Sequence, residues 1–156
     1  LVELWNEVVS PDSIIIHLGD FAFGNPGKAC SILPKLSGKK ILVPGNHDAK
    51  NLKSPEFKSF WRHITGPLLE LDLKELFLVL CHFPIECWNH RYHGSIHLHG
   101  HCHSNREQGL KPRQLKNRLD VGVDYHNLKP ISLPEVLAEV TRNNDELMTQ
   151  TLDQVF

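Results

Sequence analysis

The chain lacks any apolar run that could cross a bilayer. Its longest, such as LFLVLC at residues 76–81, fall far short of the roughly 18 to 20 residues a spanning helix needs. It also lacks a basic stretch followed by an apolar core and a small-residue cleavage site, so no export signal is read and the expected address is the cytoplasm. Charge of one sign is missing too. With 17 Lys and Arg against 18 Asp and Glu, the net charge of -1 gives no general field for drawing in nucleic acid or an anionic membrane. Neither an aromatic platform nor a sustained basic stripe is visible, which leaves nucleic-acid binding without catalysis unsupported, although a nucleic-acid end stays open as a substrate. The four cysteines (Cys30, Cys81, Cys87, Cys102) have no CxxC spacing and are too few to build a disulfide scaffold; they are expected to be reduced and mostly buried. There is no internal repeat and no low-complexity tract. A length of 156 residues fits one domain, 1–156, large enough to bury a core and too short for a separate substrate domain.

Histidine, by contrast, is abundant. Of 11 in all, seven lie between His82 and His103, and SIHLHGHCH (residues 95–103) sets His97, His99, His101 and His103 in strict alternation. A core does not need so many half-polar rings, because each buried one must find hydrogen-bond partners. The composition therefore points to a site.

The patterning predicts alternating helices and strands. An opening helical stretch (LVELWNEVV) stops at Pro11, and a β-branched run, SIIIHLGD (residues 13–20), ends in Gly-Asp. A helix over 27–36 leads to a strand over 40–43 and then to PGNHD, the same arrangement of a strand delivering polar residues at its carboxyl end. Residues 54–64 read as a helix with Ser54 as cap and Pro55 in its first turn. LLELDL and ELFLVLCH read as strands around a turn at Lys74, SIHLHG as another, and RLDVGVDY (118–125) as a β-rich segment. A final helix starts near residue 133, where Ser132 and Glu135 form a capping box. Two helix-to-strand units in series argue for an α/β layer with functional loops along one edge.

Four polar clusters share one property, that each follows a strand: Gly19-Asp20, Gly45-Asn46-His47-Asp48, Cys81-His82 and Gly100-His101-Cys102-His103. Taken singly, Asp20 could cap a turn, GNHD could be an Asx-type turn, and His82 could be a satisfied core histidine. If the carboxyl ends of these strands converge, they offer one carboxylate, one amide oxygen and three or more imidazoles around one point. That mixture suits zinc, manganese, iron or nickel better than calcium, which prefers oxygen alone.

In this order and at these spacings the clusters resemble the signature of the calcineurin-like metallophosphoesterase superfamily: G-D, G-N-H-D, a lone histidine, then G-H-x-H. The resemblance spans roughly residues 1–137, and HLGDFAFG and RLDVGVDYHNLKPIS look like a group of bacterial and phage members. It implies a four-layer α/β/β/α sandwich of two mixed sheets flanked by helices. It implies two divalent metal ions, of manganese, zinc, iron or nickel, and hydrolysis of a phosphodiester or phosphomonoester by a metal-bridging hydroxide, a diester being slightly favoured. The substrate would be a small phosphate ester or a nucleotide. Asp20 would bridge the metals; Asn46, His82 and His101 would complete the second metal's shell, and His103 would bind the first. His47 would stabilise the transferring group or protonate the leaving oxygen, held by Asp48. The superfamily's D-x-H motif, which ends its first strand and supplies two further ligands to the first metal, does not occur before Asp20. The expectation is an N-terminally incomplete domain whose first strand is missing, with this chain compromised in activity.

Two other readings remain open. One is a protein of the same fold that binds partners without catalysis; the other is a structural-zinc module using Cys81, His82, His101 and Cys102. His97 and His99 are expected to pack or to orient ligand rings. His90, Arg91, His93 and Arg106 are expected in loops adjoining the site, and Trp88 either in the core or stacked on a base.

Overall fold

The computed structural model describes residues 1–103 and 112–153, with side chains through residue 150. The chain opens with helix α1 (Val2–Val8), strand β1 (Ile14–His17) and helix α2 (Pro26–Ile32). Asn25 caps α2, its side chain accepting from the Gly27 amide at 2.9 Å. Strand β2 (Lys39–Leu42), helix α3 (Pro55–Ser59) and strand β3 (His63–Ile64) follow. Then come β4 (Leu68–Asp72), β5 (Phe77–Cys81), β6 (Ile96–His99), β7 (Arg118–Asp120) and the long helix α4 (Leu133–Asp153). The capping box of α4 forms, with the Ser132 amide donating to Glu135 Oε2 at 2.8 Å. Among the described residues no helix is long and apolar enough to cross a membrane.

The helix expected over 54–64 is shorter than its pattern suggests. Ser54 caps it through the Phe57 amide at 3.2 Å, but it ends at Ser59. Beyond that point the chain is captured by β2: Arg62 N donates to Lys40 O at 2.8 Å and Thr65 N to Leu42 O at 2.9 Å. Trp61 still faces the core, ring to ring with Phe57 and Phe21. Pairing with a waiting strand edge outweighed a helical period that only a few residues supported.

The strands form two sheets. The first, β1-β2-β3, is parallel throughout; the second, β4-β5-β6-β7, is mixed, with β4 antiparallel to β5 and the rest parallel. The fold is an α/β sandwich of two sheets flanked by helices. Leu18 and Val43 of the first sheet meet Leu78, Leu80, Ile96, Leu98 and Leu119 of the second, and Val136 and Val140 of α4 close this core. The outer face of the first sheet is covered by α2 and α3 through Ala29, Leu33 and Phe57. Trp5 and Val9, from α1 and its end, pack against Leu36. Trp88 is buried against Val79 and Leu115 on the outer face of the second sheet, its indole N–H donating to Ser95 Oγ at 3.0 Å. It is a core residue and offers no stacking face to a base.

Parallel pairing decides which loops share an end. The carboxyl ends of β1 and β2 lie together, as do those of β5 and β6. Because β5 and β6 run the same way, their connection must return to the opposite end of the sheet before β6 can begin. His90 accordingly packs on Phe77, the first residue of β5, at 4.8 Å between ring centres. His90, Arg91 and His93 are thus carried to the end of the sheet away from His82, which corrects the expectation that they adjoin the site. Arg106 lies outside the described residues.

Candidate metal centre

Two glycines let the first two loops touch. A Cβ on Gly19 would stand 2.3 Å from Gly45 N, and one on Gly45 would stand 2.3 Å from Asp20 Oδ1 and 2.8 Å from His82 Nδ1. Gly19 and Asp20 both adopt left-handed backbone, with φ of 86° and 55°. His101 (φ 66°) and His103 (φ 48°) do the same in the last loop. Such conformations cost energy in residues with a Cβ and concentrate where tertiary structure fixes side chains for a task.

The second sheet reaches the same point through His82, whose ring lies almost wholly out of solvent. Its Nδ1–H donates to the Leu18 carbonyl at 2.6 Å. A carbonyl only accepts, so in the neutral ring Nε2 carries a lone pair. That atom faces Asn46 Oδ1 at 3.0 Å, His101 Nδ1 at 3.1 Å and Asp20 Oδ2 at 3.2 Å. Burial and the neighbouring His82 lower the pKa of His101, which favours its neutral form. Four acceptor atoms thus crowd together with at most one proton to share, an arrangement a cation resolves and hydrogen bonding alone does not. With metal bonds of about 2.1 Å at right angles, adjacent ligand atoms would lie about 3.0 Å apart, so the donor set fits a divalent ion. Asp20, His82 and His101 stand out as a group able to hold one.

His103 lies outside this cluster, in a separate pair. Its Nδ1 donates to Asp124 Oδ2 at 2.7 Å, which leaves the lone pair of the neutral ring on Nε2. Asp124 belongs to none of the four polar clusters; its signal in the sequence is the Asp-Val-Gly-Val-Asp spacing that starts at Asp120, the last residue of β7. Along one side of the centre runs a cavity of about 570 Å³, lined by Ile14, Ile16, Leu80 and Leu98 and ending at Asp20, His82 and His101. It borders β1, which pairs with β2 on one side and, among the described residues, is the edge of its sheet on the other.

Asp48 does something different from what the resemblance implies. It is 0% exposed, and its carboxylate accepts from the amides of Asp20 (2.7 Å), Gly45 (2.9 Å) and Phe21 (3.2 Å). It therefore ties the first two loops together rather than orienting the His47 ring. His47 is exposed, held by its own amide on Asp20 Oδ1 at 2.8 Å and by ring contact with Phe23 at 4.6 Å. Neither tie has a signal in the sequence, because both depend on loops 27 or 28 positions apart, or on an exposed phenylalanine.

His97 and His99 point to the outer face of the second sheet. His97 donates from Nδ1 to Val79 O at 2.9 Å and accepts the Ile85 amide at 3.1 Å, pinning the segment after His82. Burial lowers its pKa to about 4. His17, unremarked in the sequence, sits edge-on to Phe21 and Trp61 with Nδ1 shielded and unpartnered; burial lowers its pKa to about 4 as well. The zinc set Cys81, His82, His101 and Cys102 is not brought together as one group. His82 and His101 join Asp20, whereas Cys102 groups with His99 and Asp120.

No family model matches the chain. It is 30% identical over 157 aligned residues to the Gene 66 protein of Mycobacterium phage D29, covering 84% of this chain and 77% of that protein. The chain belongs to the Gene 66 family. A further relative of this Gene 66 family chain is an uncharacterized protein of Methanocaldococcus jannaschii, 28% identical over 138 residues and covering 85% of this chain and 69% of the relative. The solved structure of a protein of unknown function from Aquifex aeolicus superposes with a TM-score of 0.64. At 24% identity, over 94% of this chain and 82% of that one, it supports the shared fold.

Proposed function

We propose that this protein is a metal-dependent phosphoesterase, hydrolysing a phosphodiester or phosphomonoester. The observation that carries the reading is the proton-poor cluster at His82 Nε2, where an amide oxygen, a carboxylate oxygen and a second imidazole lie within 3.2 Å. In this reading Asn46, His82 and His101 would hold one ion, His103, oriented by Asp124, would hold a second, and the Asp20 carboxylate would serve both. A pair of divalent ions would supply a nucleophile at neutral pH and offset the charge on the phosphoryl oxygens. The chain's own contribution is positional. Asp48 fixes the two loops, His82 is locked by Leu18 O, and Phe23 steadies the exposed His47. His47 would donate a proton to the leaving oxygen as the phosphorus–oxygen bond breaks.

The test is metal content and turnover of the full-length protein with manganese, nickel or zinc, on a generic aryl diester and the matching monoester. Asp20→Asn should lose the metal bound at this centre and activity together. His47→Ala should keep its metal and lose turnover by roughly 10²- to 10⁴-fold. Normal turnover in Asp20→Asn, or no hydrolysis of either ester by metal-loaded wild type, refutes the proposal; the second result favours a binding protein of the same fold.

A further inference from the structure

The segment at residues 99–103 presents side chains to two different places. His101 joins Asp20 and His82, and His103 pairs with Asp124, but the residues interleaved with them take another course. Leu98 and Leu119 face the core between the sheets, so alternation turns His97, His99, Arg118 and Asp120 to the outer face. The β6–β7 register then sets His99 directly opposite Asp120. Cys102, one turn beyond the end of β6, closes over that pair, its amide donating to Gly100 O at 2.8 Å. His99 is 3% exposed and Cys102 1%, and Asp120 is half-buried. One ligand atom from each of the three lies within 4.8 Å of the others.

We propose that His99, Cys102 and Asp120 form a second metal site, separate from the Asp20 centre, that takes a zinc ion. The ligand chemistry selects the ion: sulfur, imidazole nitrogen and carboxylate oxygen together suit zinc and exclude calcium and magnesium. The imidazole is prepared for it. His99 Nδ1 donates to the Gly100 carbonyl at 3.0 Å, so its Nε2 holds the lone pair. Asp120 is oriented by the Gly122 amide on Oδ1 at 2.9 Å. Tetrahedral zinc needs ligand atoms about 3.3–3.8 Å apart, so with all three atoms already within 4.8 Å of one another binding draws no pair inward by more than roughly 1.5 Å. Arg118 shares this face and adds positive charge, but its guanidinium donates to the carbonyls of Ile85 and Arg113. Thiolate and carboxylate together balance the ion's two charges. Binding forms zinc–sulfur, zinc–nitrogen and zinc–oxygen bonds and releases the Cys102 thiol proton to water, with a solvent molecule as fourth ligand. The ion would clamp the end of β6 to β7 and so fix the turn that carries His101 and His103.

Cobalt substitution separates the two centres, because only a sulfur ligand gives a thiolate-to-cobalt charge-transfer band in the near ultraviolet. Chelator-stripped full-length protein titrated with cobalt should develop that band to the intensity of one sulfur-ligated ion per chain, cobalt at the Asp20 centre adding nothing to it, and zinc should abolish it. Cys102→Ser should remove the band, and Asp120→Asn should weaken cobalt binding at this site at least tenfold. Asp20→Asn should leave the band intact, whatever becomes of the phosphoesterase reading. Should Cys102→Ser fail to fold, a band persisting in Cys30→Ala, Cys81→Ser and Cys87→Ser assigns the sulfur to Cys102 by elimination. No band in wild type at saturating cobalt, a band that survives Cys102→Ser, or one lost with Cys81→Ser overturns the proposal.

Discussion

Replacing Asp48 by alanine separates two roles for one carboxylate. If Asp48 served to orient His47, its loss would lower turnover and leave the fold intact. In the structure it is fully buried and accepts three backbone amides, from Asp20, Phe21 and Gly45. Truncation removes the acceptor for all three at once, and each amide left unpaired away from water costs about 1–3 kcal/mol. The three lie in one network and do not add fully, so we expect a loss of about 4 kcal/mol, a large part of the roughly 5–15 kcal/mol that holds a typical domain. With a urea m value of about 2 kcal/mol/M, the unfolding midpoint should fall by about 2 M. Asp48→Asn, which keeps one acceptor oxygen and turns an NH₂ toward amides, should fall between wild type and alanine. Bound metal should drop in parallel, since Asp20 and Asn46 stand on the two loops that Asp48 joins. Urea unfolding followed by far-ultraviolet circular dichroism, with metal analysis on the same samples, reads both. An alanine variant within about 1 kcal/mol of wild type, with turnover lost, would refute the loop-tie reasoning and restore the His47 role.

Gly45→Ala should abolish metal uptake at the Asp20 centre, because its Cβ would sit 2.3 Å from Asp20 Oδ1 and 2.8 Å from His82 Nδ1. Gly66→Ala, whose Cβ would meet nothing within 4 Å, should change stability by no more than about 0.5 kcal/mol and serves as the control. His97 contributes a pH dependence of known sign. Burial lowers its pKa from 6.5 to about 4, so between those values the unfolded chain binds the extra proton. Its contribution is complete above pH 6.5 and is lost as pH falls toward 4, about 3 kcal/mol over the window. Urea midpoints at pH 7 and pH 4.5 should therefore converge more closely in His97→Gln than in wild type; an unchanged pH slope would contradict a neutral buried ring.

Much of the fold was legible because its signals are local. The caps at Ser54 and Ser132, the turn at Lys74, the β-branched run of β1 and the short apolar runs of β2 and β5 are each settled by neighbours a few residues away, and the structure forms each where the pattern put it. Strand β3 was not legible, since two residues become a strand only by lying against β2. The site divides in the same way. Chemistry-bearing residue types after strand ends identified Asp20, Asn46, His82 and His101, and these meet around His82 Nε2.

What the sequence determined by itself was the set of donor groups and the alternation of helix and strand, because residue type and short-range spacing fix both. The tertiary structure alone decided that Asp48 holds loops, that Asp124 orients His103 and that His90 and Arg91 travel to the far end of the sheet. Those outcomes depend on register, strand direction and the approach of backbones at Gly19 and Gly45, which are properties of how distant segments pack and are written in no single stretch of chain.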